Sequence, residues 1–118
     1  MLFRLIGGFL FGLPVLWGLL PQPAIATEQL FALAIRDGRL GDSAPTLQVS
    51  EGDEVVLELS SDQDLELHLH GYELTFALAA GSPALWRIAA VHSGRFPLEA
   101  HDRAGGDRLL LYLEVQPD

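Results

Sequence analysis

Leu65-Glu66-Leu67-His68-Leu69-His70-Gly71-Tyr72 is the stretch on which the reading of this chain turns. Apolar and polar side chains alternate strictly from Leu65 to His70, and Gly71 breaks the run. A period of two is that of a β-strand buried on one face, because residues i and i+2 project to the same side. Leu65, Leu67 and Leu69 are therefore predicted to face a core. Asp64, Glu66, His68 and His70 are predicted to face outward, with two imidazoles side by side in a common ligand geometry.

The same period runs through the rest of the chain. Strands are predicted at Leu30–Ile35, Thr46–Val49, Val55–Leu59, Leu65–His70, Leu74–Leu78, Ala84–Val91, Arg95–His101 and Leu109–Val115. Turn signals separate them at Asp37-Gly38, Glu51-Gly52-Asp53, Ser60–Asp64, Gly81-Ser82-Pro83, Ser93-Gly94 and the Gly-containing loop Asp102–Asp107. Seven to eight short strands with turns about every ten residues predict an all-β fold, a Greek-key β-sandwich or small barrel. Only the region from Ala79 to Ala90 leaves room for a helical turn.

Residues 1–26 have a different character. Arg4 supplies a positive n-region, Leu5–Leu20 an apolar h-region, and Ala24-Ile25-Ala26 a small-residue cleavage site. This is the pattern of a secretory signal peptide cut after Ala26. The rival reading, an uncleaved anchor, has a run slightly short of the roughly 20 apolar residues of a membrane span. Residues 27–118 then form one small domain, periplasmic or secreted and free of the membrane after cleavage.

The chain has no cysteine and no lysine, and sixteen acidic residues stand against seven arginines, a formal net charge of −9. Such a surface repels nucleic acid and anionic lipid. It attracts cations, although solubility explains most of the charge. Without disulfides, stability rests on core packing, helped by a metal or a protein partner of the cell envelope.

A third histidine, His101, ends the run from Arg95. Alternation there predicts Phe96, Leu98 and Ala100 inward, and Arg95, Pro97, Glu99 and His101 outward. If the two strands are neighbours, His68, His70 and His101 share a face, with Glu99 as a fourth candidate ligand. Trp86 is predicted in or near the core, and Tyr72 either to hydrogen-bond across the site or to cap a loop. Arg103 and Arg108 are expected to offset Asp102 and Asp107.

Three segments resemble the cupredoxin superfamily. Glu51-Gly52-Asp53-Glu54-Val55-Val56-Leu57 resembles its Gly-Asp turn leading into an apolar strand. His68-Leu69-His70-Gly71 is similar to the H-x-H-G motif of multicopper oxidases. Ser93-Gly94-Arg95-Phe96-Pro97-Leu98-Glu99-Ala100-His101 resembles the late segment that carries copper ligands. The resemblance implies a cupredoxin-like fold and a copper connection. In small blue-copper proteins the position of Ala100 holds a cysteine, and the only methionine here is Met1. A His₂Cys site with an axial Met cannot be built from this chain, which excludes type 1 electron transfer. The later H-x-H of the oxidases corresponds to Glu99-Ala100-His101, so His101 matches its second histidine and Glu99 replaces its first.

Two functions follow as expectations. One is a metal-binding module with ligands His68, His70, His101 and Glu99, for holding or delivering copper, with Cu(II) favoured and zinc second. The other is a metal-free interaction or structural domain of the envelope. Catalysis is not expected. His101-Asp102 and His92-Ser93 come without a nucleophile elbow, and Glu66 with Glu99 reads as a pair on solvated strand faces.

Overall fold

Alternation of apolar and polar residues builds two facing sheets in the computed structural model, which describes residues 27–118. The expected signal peptide, 1–26, lies outside the described residues. The strands are β1 (Glu28–Ile35), β2 (Thr46–Ser50), β3 (Glu54–Ser61), β4 (Leu65–Leu69), β5 (Leu74–Leu78), β6 (Ala84–Ala89), β7 (Gly94–Asp102) and β8 (Asp107–Gln116). One sheet has the order β1-β3-β6 and the other β2-β8-β7-β4-β5. Strands β1 and β3, and β2 and β8, run parallel, and the remaining neighbours are antiparallel. Successive strands switch sheets from β1 to β4, as a β-sandwich requires when short strands must cover one another's apolar faces. The Ala79–Ala90 region holds strand β6 and no helix.

The core lies between the sheets. Leu65, Leu67 and Leu69 of β4 are buried, as are Leu98 and Ala100 of β7, Leu57 and Leu59 of β3, and Ile88 of β6. Trp86 is also buried and stacks on Phe76 with ring centroids 5.1 Å apart. Removing this much apolar surface from water is the main term favouring the fold.

Phe96 departs from the predicted pattern, being only half-buried. It closes one end of the sandwich rather than filling its centre. A Cβ on Gly71 would sit 2.5 Å from Phe96 Cδ1, and Gly71 has φ +87. Only glycine meets both the close approach and the left-handed backbone. The Tyr72 ring meets Phe96 edge-on at 4.8 Å. Its hydroxyl donates to the His92 carbonyl at 2.7 Å and accepts from the His92 N–H at 3.0 Å. Tyr72 thereby joins the β4–β5 turn to the β6–β7 loop, which is the second of the two roles open to it, capping a loop.

Strand β8 is longer than predicted and irregular. Its pairing with β7 shifts between Leu98 and Glu99, so that Leu98 faces Leu111 while Glu99 faces Leu109. Leu110 is the extra residue of a β-bulge, and both Leu110 and Leu111 are buried. On the hairpin side of this shift, Asp107, predicted to lie in a loop, pairs in register opposite His101.

Candidate metal-binding face

Strands β4 and β7 are neighbours, which was the condition for the predicted ligands to meet. Their antiparallel register sets His68 opposite Glu99 and Glu66 opposite His101. His70 follows the last residue of β4, and its N–H donates to the Pro97 carbonyl at 3.0 Å. All four predicted ligands therefore lie on the outer face of the five-stranded sheet, above the buried Leu67, Leu69, Leu98 and Ala100. Each is partly shielded from solvent.

The rings are close. His68 and His70 have centroids 4.1 Å apart, and His68 and His101 6.2 Å apart. Two imidazoles sharing one ion at metal–nitrogen distances of about 2 Å hold their centroids roughly 4.5–6.3 Å apart, from a right-angled to a linear arrangement. The His68–His101 separation falls within that interval, and the His68–His70 separation lies just below it. His70 Nε2 lies 2.9 Å from Glu99 Oε1. The contact lacks hydrogen-bond geometry: Nε2 is buried and has no hydrogen-bond partner. A buried ring nitrogen without a partner is costly, and a carboxylate oxygen beside it supplies the second half of an N,O donor pair. In donor type, imidazole with carboxylate, the residues suit a borderline cation. Among the described residues, however, no three His, Cys, Asp or Glu side chains converge as they stand on one ion-sized point.

The reason is visible in the partners each group has taken. His101 does not meet Glu99. Its Nδ1 is hydrogen-bonded to Asp107 Oδ1. That bond is the main cause of a raised His101 pKa, opposed by desolvation and assisted by the charges of Asp107, Glu99 and Glu66. His68 Nε2 approaches Glu73 Oε2 at 3.9 Å, a distant ion-pair contact. Beside His101 a groove of about 550 Å³ opens, lined by Ala77 and Ala79 of the β5 end and by Asp64, Glu66 and Arg103.

Two other expectations are corrected. Arg103 pairs with Asp64 at 2.7 Å rather than with Asp102, and Arg108 donates to the Asp37 carbonyl at 2.9 Å rather than meeting Asp107. Asp102 Oδ1 instead accepts the Gly106 N–H at 2.8 Å. Several acids thus close loops, which charge counting attributes to solubility. Asp53 accepts from the Ser50 N–H, Asp62 from the Asp37 N–H and Asp64 from the Ala80 N–H. Asp107 is the site residue that sequence reasoning missed. The one available signal was its place across a short turn from His101.

No family model matches this chain, and no curated protein matches it. Solved structures do. A multicopper oxidase from Pseudomonas thermotolerans superposes with a TM-score of 0.62 at 16% identity, over 79% of this chain and 30% of that one. The blue copper oxidase from Nitrosomonas europaea gives 0.58 at 19% identity, over 77% of this chain and 39% of that one. This chain thus spans well under half of either oxidase. A chain of a heme-copper terminal oxidase dimer gives 0.56 at 16% identity, over 98% of this chain and 93% of that one. Together with two facing sheets of eight strands, these similarities identify the fold of this chain as cupredoxin-like.

Proposed function

We propose that this protein is an exported metal-binding domain whose cargo is Cu(II), held or delivered through His68, His70, His101 and Glu99. The observation that carries the reading is the meeting of three histidines and Glu99 on one outer face of adjacent strands β4 and β7. Imidazole with carboxylate suits Cu(II), and zinc is the second choice. Cu(I) lacks the soft ligands it prefers, since the chain has no cysteine and its one methionine is Met1.

In this reading His68 and His70 form the fixed half of the site, because β4 lies between β5 and β7. Glu99 balances charge beside His70. His101 completes the set from the neighbouring strand. The ligands must be neutral imidazoles, so binding weakens as pH falls through their titration range. The net negative charge favours encounter with a cation. The reading assigns this domain binding rather than catalysis, and a thiolate copper site cannot be assembled from its cysteine-free sequence.

The test is a titration of residues 27–118 with Cu(II), followed by absorption and electron paramagnetic resonance. The reading expects a one-to-one signal that His68→Ala and His101→Ala abolish. A wild-type protein that gives no signal overturns it.

A second reading has one observation in its favour. The match to a chain of a heme-copper terminal oxidase dimer is nearly end to end in both chains. On that reading the domain is a metal-free member of an envelope assembly and the histidines are polar cross-strand residues. It expects a melting temperature that neither metal nor chelator changes. A chelator-sensitive melting shift at neutral pH contradicts it.

A further inference from the structure

We propose that Asp107 positions His101 for metal binding, holding Nδ1 so that Nε2 is the nitrogen left for the ion; this rests on the metal-binding reading above. The starting point is that the carboxylates around His101 are not equivalent. Glu66 faces it across β4 and Glu99 precedes it on β7, and both act on it through charge. Asp107 alone touches the ring, through Nδ1. A carboxylate on one ring nitrogen selects the tautomer with the proton there and makes the other nitrogen the better donor.

Asp107 owes its place to the hairpin that joins β7 to β8. The Asp102 N–H donates to the Gly106 carbonyl at 3.0 Å, and the Gly105 N–H to the Asp102 carbonyl at 3.1 Å. The Asp102 side chain takes the Gly106 N–H at 2.8 Å. The Arg103–Asp64 ion pair links this turn to the residue just before β4. Asp107 is the first residue after this tied turn, and its register partner is His101. The bulge at Leu110 lies farther along β8, so both residues stay on the outer face.

The Asp107 side chain is itself 64% exposed. Its pairing therefore adds little to folding stability, and its loss should register in the properties of His101. Glu99 has a different role in this scheme. It lies beside the buried His70 Nε2 and remains a candidate ligand, whereas Asp107 acts one step out, through His101.

The experiment uses residues 27–118 as wild type, Asp107→Ala and Asp107→Glu. Long-range proton–nitrogen correlation spectra above the His101 titration should show the Nδ1–H tautomer in the wild type and a mixture in Asp107→Ala. Zinc and Cu(II) titrations should weaken about tenfold to a hundredfold in Asp107→Ala and recover in Asp107→Glu, with all three proteins melting alike. An Nε2–H tautomer in the wild type overturns the proposal. So does an Asp107→Ala affinity equal to that of a wild type that binds, a result that leaves the metal reading standing. A wild type that takes neither ion removes both.

Discussion

Strand β7 has two ends that behave differently. At its start, Phe96 packs against Gly71 and Tyr72 so closely that a carbon added at Gly71 has no room. Toward its finish, the polar side chains do not converge on one point: His101 is bonded to Asp107, and Glu99 lies beside His70 without a hydrogen bond to it. The first end is held by steric fit and two hydrogen bonds from one tyrosine. The second is held by charge at a partly wetted surface, where pair energies are small and rearrangement is cheap. One strand thus anchors the sandwich at one end and offers adaptable ligands at the other.

This contrast can be broken by substitution. Gly71→Ala should have the largest effect, since it forces a Cβ into the Phe96 ring and a left-handed backbone on alanine. A loss of about 3 kcal/mol is expected, seen as a melting temperature lower by roughly 12–24 °C. A melting curve like that of the wild type would mean that Phe96 can move aside. Tyr72→Phe keeps the ring and removes both bonds to His92, costing about 1–2 kcal/mol in denaturant unfolding. An unchanged midpoint would show that the His92 loop is held by something else. At the polar end, Glu99→Gln should leave stability within about 0.5 kcal/mol while weakening Cu(II) binding measured by calorimetry. Marked unfolding by that change would erase the distinction between the two ends.

The smallest effect is in pH. The His101 pKa is raised above its ordinary value of 6.5, mainly by the bond to Asp107. The imidazolium–carboxylate pair therefore stabilises the metal-free protein fully below about 6.5. That contribution is lost as pH rises through the higher folded value. Melting temperatures should fall slightly from mildly acidic to mildly alkaline pH, and Asp107→Asn should flatten the slope. Metal binding has the opposite dependence, so a metal-loaded sample should gain stability over the same range.

Much of the fold was legible because burial on one face of a strand writes itself as a period of two. The alternation of Leu65, Leu67 and Leu69 with Glu66, His68 and His70 was enough to assign both faces of β4, and β7 read likewise at Leu98 and Ala100. It failed at Leu109–Leu113, where a bulge lets two consecutive leucines point inward and the period is lost. It also failed at Asp107, read as loop because Gly105-Gly106 signals a turn without saying where pairing resumes. Arg103 and Arg108 were assigned to sequence neighbours, but long flexible side chains reach whatever carboxylate or carbonyl the folded surface presents.

By itself, the sequence determined an all-β domain with short strands, an outward pair at His68 and His70, and the absence of the thiolate that a blue-copper centre needs. These follow from local rules: side-chain direction along a strand, and the chemistry of residue types that are present or missing. The tertiary structure alone decided that β7 lies beside β4, that His70 meets Glu99, and that His101 turns to Asp107. Strand order and hairpin register depend on how two whole sheets cover each other's apolar faces. They therefore depend on contacts between residues far apart in the chain, which no local pattern records.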